Sequence, residues 1–472
     1  MTHPRRPHAN VRSLSAMLGA SLIVAVSTAA PADASVRAVV SYDGPTINVA
    51  GVQVLRPLPA LGMAVVDGTP AALARLARTQ GVRGVANDTA VELAGRPSLG
   101  QPVPAAQGLG GRAGRPGAGL GVRVAVLDTG VSDTAALDRR SGRLVDAFDA
   151  AGATPPYTDG YGHGTFMASV LAGGPAAGSL GRPVGVAPGA TVLVLRIADA
   201  DGTTSLSKVV AGLDWVAAHA GDVDVANLSF SYTRPGTAYG ADPLTDAVDR
   251  VRASGVSMVV SAGNDPDVVG DPGFTPRALT VGAAELSGAQ ARVAPFSGSA
   301  TVAGVAKPDV VANGVSVLGV LPPDSVVARS NSGSHVRGDL WRGSGTSQAT
   351  AVTSGVVALL LQDQPDATPA QVKAAVRSAA RPLPGTRDGA GLLRLPRGQA
   401  DRPDDGDGAG DRDSNGTGDG DGTSRGADPT GEGGFDANSW SANSWSANSW
   451  SANSWSANSW SANSWSAWQG AL

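Results

Sequence analysis

Three short segments carry the residue types of nucleophilic catalysis. Asp128 closes the apolar run Val124-Ala125-Val126-Leu127 and is followed by Thr129-Gly130. His163 sits in Gly162-His163-Gly164-Thr165, and Ser347 in Gly343-Ser344-Gly345-Thr346-Ser347-Gln348-Ala349. A serine hydroxyl attacks a carbonyl only when a base within hydrogen-bond reach takes its proton. An imidazole can do this near neutral pH, and a carboxylate on its other nitrogen fixes the tautomer and stabilises the imidazolium. Small glycines at 130, 162, 164 and 345 let backbone and substrate come close. Each segment alone also fits ordinary turn or helix-cap chemistry; the three together, each at a strand end or helix start, fit catalysis. The chain has no cysteine, which excludes thiol nucleophiles, Cys-based zinc sites and disulfide staples. Of the other histidines, His3 and His8 fall in the N-terminal leader, His219 reads as a helix end and His335 as part of a polar loop. One histidine with a chemical context does not make a zinc site.

These residues need a frame to hold them. From about residue 120 the pattern alternates between short apolar runs and amphipathic stretches. Residues 122–127, 191–197, 223–230 and 256–261 read as strands; residues 163–173, 205–218, 243–253 and 347–362 read as helices, with Asp242 as a cap. Near-continuous apolar strands alternating with helices predict an α/β fold: a parallel sheet with helices on both faces. Chemistry in such sheets lies beyond the carboxyl ends of the strands. Residues 35–96 read as a separate small α+β unit, with strands at 36–41 and 63–66, a helix from Pro70, and a further strand at Val91-Glu92-Leu93. A Gly/Pro-rich stretch, 97–121, joins it to the rest.

The order Asp…His…Ser, with these surrounding motifs, resembles the subtilisin-like serine peptidases from about Gly121 to Leu395. The resemblance implies a serine endopeptidase with Asp128, His163 and Ser347 as its triad. It implies a second oxyanion donor in the side chain of Asn264, within Ser261-Ala262-Gly263-Asn264, beside the backbone N–H of Ser347 at a helix start. It further implies that a polypeptide substrate adds as a strand between two edges. Gly202, Thr203 and Thr204 would form one edge, with Leu206 lining a deeper subsite; Ser229, Phe230 and Ser231 would form the other edge and a pocket wall, with Gly263 and Gly270 close by. Val269-Gly270-Asp271-Pro272-Gly273 would be the pocket floor, where Asp271 either caps a turn or favours a basic substrate residue. Departures from the family pattern are Gln348 in place of Met, Ala351 in place of Pro, and Thr204 and Ser231 where smaller residues are usual. The unit at 35–97 resembles the family's inhibitory propeptide, removed by the enzyme itself between about Glu92 and Leu120. A folding aid suits a slow parallel-sheet topology. The triad chemistry requires no cofactor, and calcium is not called for by the sequence. The enzyme is expected to be a monomer.

The ends have other characters. Arg5, Arg6 and Arg12, an apolar stretch at 14–30 and Ala32-Asp33-Ala34 read as a secretory signal over 1–34. The peptidase domain is then 98–396, followed by an acidic linker at 397–436 and Ala-Asn-Ser-Trp-Ser repeats at 437–472. From Asp401 to Asp436 there are eleven acidic residues against three arginines, so the linker is more acidic than the whole chain at −4. Its Asp411-x-Asp413-x-Asn415-Gly416 run imitates a calcium loop but lacks the closing Glu, and reads as a solvated spacer. With 36 basic and 40 acidic residues, the chain has no excess of basic charge for nucleic acid. Seven of nine tryptophans lie beyond residue 436, where regularly spaced indoles would suit a cell-wall or surface ligand. Two rival readings follow: a cell-surface binding protein on an inactive peptidase scaffold, and a maturation protease dedicated to one partner.

Overall fold

The computed structural model describes residues 34–44, 49–93, 96–97, 101–232, 242–287, 290–302, 304–385 and 387–396. The leader up to residue 33, the linker and the Trp repeats lie outside the described residues.

The N-terminal unit is an antiparallel sheet of β1 (Val36–Tyr42), β2 (Val52–Leu58), β3 (Met63–Gly68) and β4 (Val82–Asn87), in the order β2-β3-β1-β4, with α1 (Pro70–Leu76) on one face. The strand period of two divides its side chains. Ala38, Val40, Ala64 and Val66 pack with Leu73 and Leu76 of α1. Val39, Met63 and Val65 turn the other way, into a core shared with the main domain. Thr69 caps α1 by accepting the Ala72 N–H, and Pro70 supplies the first helical position. The chain continues through two short strands, β5 (Glu92–Leu93) and β6 (Arg96–Pro97).

The main sheet contains β7 (Arg123–Asp128), β8 (Leu144–Asp149), β9 (Thr191–Arg196), β10 (Val225–Leu228), β12 (Ser257–Ser261), β13 (Leu279–Ser287), β14 (Gln290–Val293) and β17 (Val310–Asn313). Its order is β14-β13-β12-β10-β7-β9-β8, with β17 also beside β13, and every pairing is parallel except β13 with β14. One face is covered by α2 (His163–Ala172), α6 (Thr346–Asp363) and α7 (Pro369–Ala379). The other is covered by α3 (Leu206–Ala218) and α4 (Pro243–Ala253). This is the α/β architecture expected from the alternating pattern. Outside the sheet lie β11 (Phe230–Ser231), the hairpin β15 (Ala300–Val302) and β16 (Val305–Lys307), β18 (Val317–Val320), α5 (Val326–Ser330), β19 (His335–Arg337) and β20 (Leu340–Ser344).

The N-terminal unit sits on α3 and α4. Leu58, Leu61 and Val91 join a core with Leu206, Val210, Leu244 and Val248. Ser205 precedes α3 without a side-chain cap of its own; Asp88 accepts the Ser207 N–H at 2.7 Å and the Ser207 hydroxyl at 2.6 Å in its stead. Arg83 pairs with Asp246 of α4, and Asp214 of α3 accepts the Leu61 N–H at 3.1 Å. The stretch after β6 is a packed segment rather than a loose joint: Ala105, Leu109 and Ala118 are buried in the main core, and Val103 bonds to β18 through the Leu318 N–H.

A buried ionic cluster fixes α7 to the sheet. The Lys307 ammonium donates to Asp309 at 2.8 Å, Thr280 Oγ1 at 2.7 Å and the Ala278 carbonyl at 3.2 Å. Lys373 of α7 reaches the other Asp309 oxygen at 2.9 Å. Burial pushes the Lys307 ammonium down to about 7, with the nearby Lys373 charge adding to this and Asp309 opposing it. A lysine with a lowered folded value costs stability in full below that value, and the cost fades as pH rises toward the unfolded value of 10.5. Unfolding should therefore become harder between pH 7 and 10, by a few kcal/mol at about 1.4 kcal/mol per pH unit crossed. Urea titrations of the Ser347→Ala protein, with and without Lys307→Met, check this. The stability difference must move toward the lysine form as pH rises; a flat or opposite trend contradicts it.

Candidate active site

The site lies at the carboxyl ends of β7, β10 and β12 and the first turns of α2 and α6. Asp128 is the last residue of β7, and His163 the first of α2; both are buried. His163 Nδ1 lies 2.8 and 2.9 Å from the two Asp128 carboxylate oxygens. Asp128 Oδ1 also accepts the Thr129 N–H at 2.8 Å. Such bonds leave Nδ1 as the protonated nitrogen and Nε2 as the basic one. The approach of α2 to β7 requires Gly164, since a Cβ there would stand 2.2 Å from the Gly130 carbonyl.

Behind this pair lies Asp159, which the motif reading missed. It accepts the Gly162 and Thr165 N–H groups at 2.7 and 2.8 Å and the Thr129 and Thr165 hydroxyls at 2.7 Å each. Burial pushes its carboxyl upward, and these four donors oppose the push. Thr129 Oγ1 in turn accepts the Gly164 N–H at 2.9 Å. Asp159 thus ties the turn after Asp128 to the start of the histidine helix. The available signal was an Asp four residues before a helix-starting His.

Ser347 is the second residue of α6 and is buried. Its hydroxyl donates to the Ser229 carbonyl at 2.8 Å, and the Ser229 hydroxyl donates back to the Ser347 carbonyl at 3.2 Å. Asn227 holds Ser229 at 2.9 Å and accepts the Ser354 hydroxyl at 2.9 Å, which locks β10 against α6. Asn264 Oδ1 accepts the Thr346 N–H at 3.0 Å and its hydroxyl at 3.1 Å. Thr346 therefore orients the amide and leaves Nδ2 as its donor end, a role that sequence reading did not give it.

A strand of the chain itself runs between the two edges. Leu206 N–H donates to Thr89 O at 2.8 Å, Val91 N–H donates to Thr204 O at 3.3 Å, and Ala90 bridges Ser205. On the opposite side, β5 pairs antiparallel with β11, Glu92 opposite Ser231 and Leu93 opposite Phe230. Further on, β6 pairs antiparallel with β20, Arg96 opposite Ser344 and Pro97 opposite Gly343. The first edge is thus residues 204–206. Gly202 and Thr203 lie outside the pairing, in a turn where Thr203 bonds to Asp201 and Gly202 lies against the Tyr161 ring. Leu206 is fully buried in the cluster that contains Val91 and Phe230. Gly263 and Gly270 both face Ser231, where a Cβ would come within 3.0 and 2.9 Å of its side chain. Asp271 neither caps its turn nor opens to a substrate. Its buried carboxyl accepts the Thr245 hydroxyl at 3.3 Å, and burial, with Asp242 beside it, pushes it well above the usual carboxylate range.

Residues 119–418 match the model of the subtilase family, peptidase S8, nearly two thirds of the chain. The chain belongs to the subtilase family. This subtilase is 34% identical over 272 residues to serine protease AprX of Bacillus subtilis, a match of 54% of the chain and 60% of that relative. It is 32% identical to subtilisin E of Bacillus subtilis over 268 residues, 56% of the chain and 61% of that relative. The chain therefore spans about three fifths of the length of these curated relatives. The crystal structure of fervidolysin from Fervidobacterium pennivorans, described as a keratinolytic enzyme related to subtilisin, superposes with a TM-score of 0.60 at 25% identity. That likeness covers 77% of this subtilase and 60% of fervidolysin. Among the described residues the other two histidines have other contacts: His219 stacks on Trp215 at 4.0 Å, and His335 lies edge-on to Trp341 at 4.9 Å. Among the described residues no group of three His, Cys, Asp or Glu is gathered as metal ligands would be.

Proposed function

We propose that this subtilase is a secreted serine endopeptidase, made as a precursor that cuts itself. The observation that carries the reading is the buried contact of His163 Nδ1 with both Asp128 oxygens at the start of α2, the helix packed against α6, which bears Ser347. In the reaction, Ser347 Oγ bonds to the scissile carbonyl carbon as His163 Nε2 takes its proton. The carbonyl oxygen becomes an oxyanion held by Asn264 Nδ2 and the Ser347 N–H. The C–N bond then breaks, His163 protonates the leaving amine, and an acyl ester remains on Ser347. Water, giving its proton to His163, attacks the ester and releases the acid and the serine hydroxyl.

The reading of residues 35–97 as an inhibitory propeptide is supported by the strand in the cleft. Its two paired stretches end at Leu93 and resume at Arg96, and β20 leads within three residues to Ser347. The bonds from Leu93 to Arg96 are therefore the proposed cut. Export follows from the leader, and retention on a cell-wall or surface ligand from the Trp repeats; loss of binding to washed cell walls on deleting 437–472 tests the latter.

Two measurements test the enzymatic reading. A fluorophosphonate probe should label Ser347 in the wild-type chain alongside hydrolysis of casein; folded protein that is neither labelled nor active contradicts it. Asn264→Ala should lower kcat by about 10²–10³ with KM little changed, a magnitude that comes from subtilisin itself. Thr346→Val, which removes the hydroxyl's bond to Asn264 Oδ1 and keeps the backbone N–H bond, should cost no more than about tenfold; steady-state kinetics with one peptide substrate reads both.

A further inference from the structure

The strand in the cleft reaches past its pairing edges and sets a carboxylate on the first turn of α3. Thr89 O accepts the Leu206 N–H at 2.8 Å, and Asp88, one residue upstream, takes the next N–H of the helix. Asp88 Oδ1 accepts the Ser207 N–H at 2.7 Å, and Oδ2 accepts the Ser207 hydroxyl at 2.6 Å. Both oxygens thus find donors on the peptidase domain, and the Asp88 side chain is only 6% exposed. Nothing in α3 would fill this place by itself. The helix has no acidic residue in its first turn, and the Ser205 hydroxyl lies 3.1 Å from the Ser207 hydroxyl instead of capping the backbone. Of the charged neighbours, Lys208 is paired with Asp199, and Asp201 accepts the Thr203 N–H and hydroxyl. The donors are therefore one N–H and one hydroxyl at the positive end of a 13-residue helix. The rest of the strand fixes the position. Val91 N–H bonds to Thr204 O and Glu92 stands opposite Ser231, so the carboxylate comes three residues before the one and four before the other.

We propose that, once the N-terminal unit has left, this end of α3 binds an acidic side chain of the substrate, three residues upstream of the one bonded to Thr204. The inference rests on the peptidase reading above, in which residues 88–93 are the upstream half of the first substrate. A substrate aspartate restores both bonds as charge-assisted ones. Asparagine reproduces the geometry without the charge, and alanine makes neither bond. A lysine or arginine brings a cation to the positive end of the helix. A contact this far from the reacting bond acts alike on bound substrate and transition state, so it enters KM and not kcat.

The test uses quenched peptides that span residues 86–99 of the chain and carry Asp, Asn, Ala or Lys at the position of Asp88. The enzyme is the mature wild type, separated from its N-terminal unit, with active sites counted by fluorophosphonate titration. KM should be about tenfold lower with Asp than with Ala, the lower end of what hydrogen bonds to a charged group contribute. Asn should fall between them, Lys should do no better than Ala, and kcat should be alike for all four. Ser207→Ala, which keeps the N–H and loses the hydroxyl, should narrow the Asp-to-Ala ratio. Ser207→Asp, which puts a carboxylate on the helix itself, should abolish or reverse it. Equal KM for Asp and Ala, a difference carried by kcat, a preference for Lys, or a ratio unchanged in both variants overturns the inference, while labelling and hydrolysis leave the peptidase reading intact. Absence of labelling and of any hydrolysis overturns both.

Discussion

Replacing Ser347 with alanine is expected to lower kcat by about 10⁶-fold and to leave the N-terminal unit attached. The magnitude is the one known for subtilisin, where nucleophile and base act as a unit. The change removes one oxygen from a buried helix turn whose other contacts persist: Ser229 still donates to the carbonyl of residue 347, and Ser354 still bonds to Asn227. Loss of the hydroxyl's bond to the Ser229 carbonyl costs about 1 kcal/mol, so the protein should fold. Gel analysis should then show a full-length chain where the wild type loses about 60 residues after its leader. Processing of purified Ser347→Ala protein at the wild-type rate would contradict the assignment.

Asp128→Asn should lower kcat by about 10⁴-fold with KM little changed. The reason is local. In the native site His163 Nδ1 meets two carboxylate oxygens, and Thr129 N–H donates to one of them. That N–H keeps its acceptor if the asparagine carbonyl takes the same place, which turns the side-chain NH2 toward Nδ1. The imidazole must then accept at Nδ1 and carry its proton on Nε2, the wrong tautomer for a base. Steady-state kinetics of the variant reads the loss. A fall of less than tenfold would mean that Asp128 does not hold the histidine during turnover.

The frame was legible where apolar runs are unbroken. The runs at β7, β9, β10 and β12 and the helices α2, α3, α4 and α6 appear within two residues of their expected bounds. The misses have physical causes. In β2, Val52–Leu58, an exposed edge strand contains Arg56 and Pro57, which mask its alternation. In β13, Leu279–Ser287, glycine and alanine dilute the apolar signal, although the strand pairs with β12, β14 and β17. For α7 the signal was present and overlooked: Thr368 and Gln371 form a capping box around Pro369.

The site divides in the same way. Asp128, His163, Ser347 and Asn264 stand in compact motifs, so their types and order could be read directly. Asp159, Asn227 and Thr346 act through contacts made by the fold, and nothing in their local sequence announces the partner. The first substrate edge shows the limit most plainly. The motif pointed to Gly202-Thr203-Thr204, but the backbone groups that pair are those of residues 204–206, because an Asp201 turn occupies the preceding two.

The central claim is that the strand in the cleft is the first substrate of Ser347. Mass spectrometry of the mature protein's N-terminus tests it directly. The account predicts a new terminus at Ala94, Gly95 or Arg96 in the wild type and none in Ser347→Ala. A mature chain that begins before Ala94 or beyond Arg96 from its first cut, or the same terminus in the alanine variant, would contradict it.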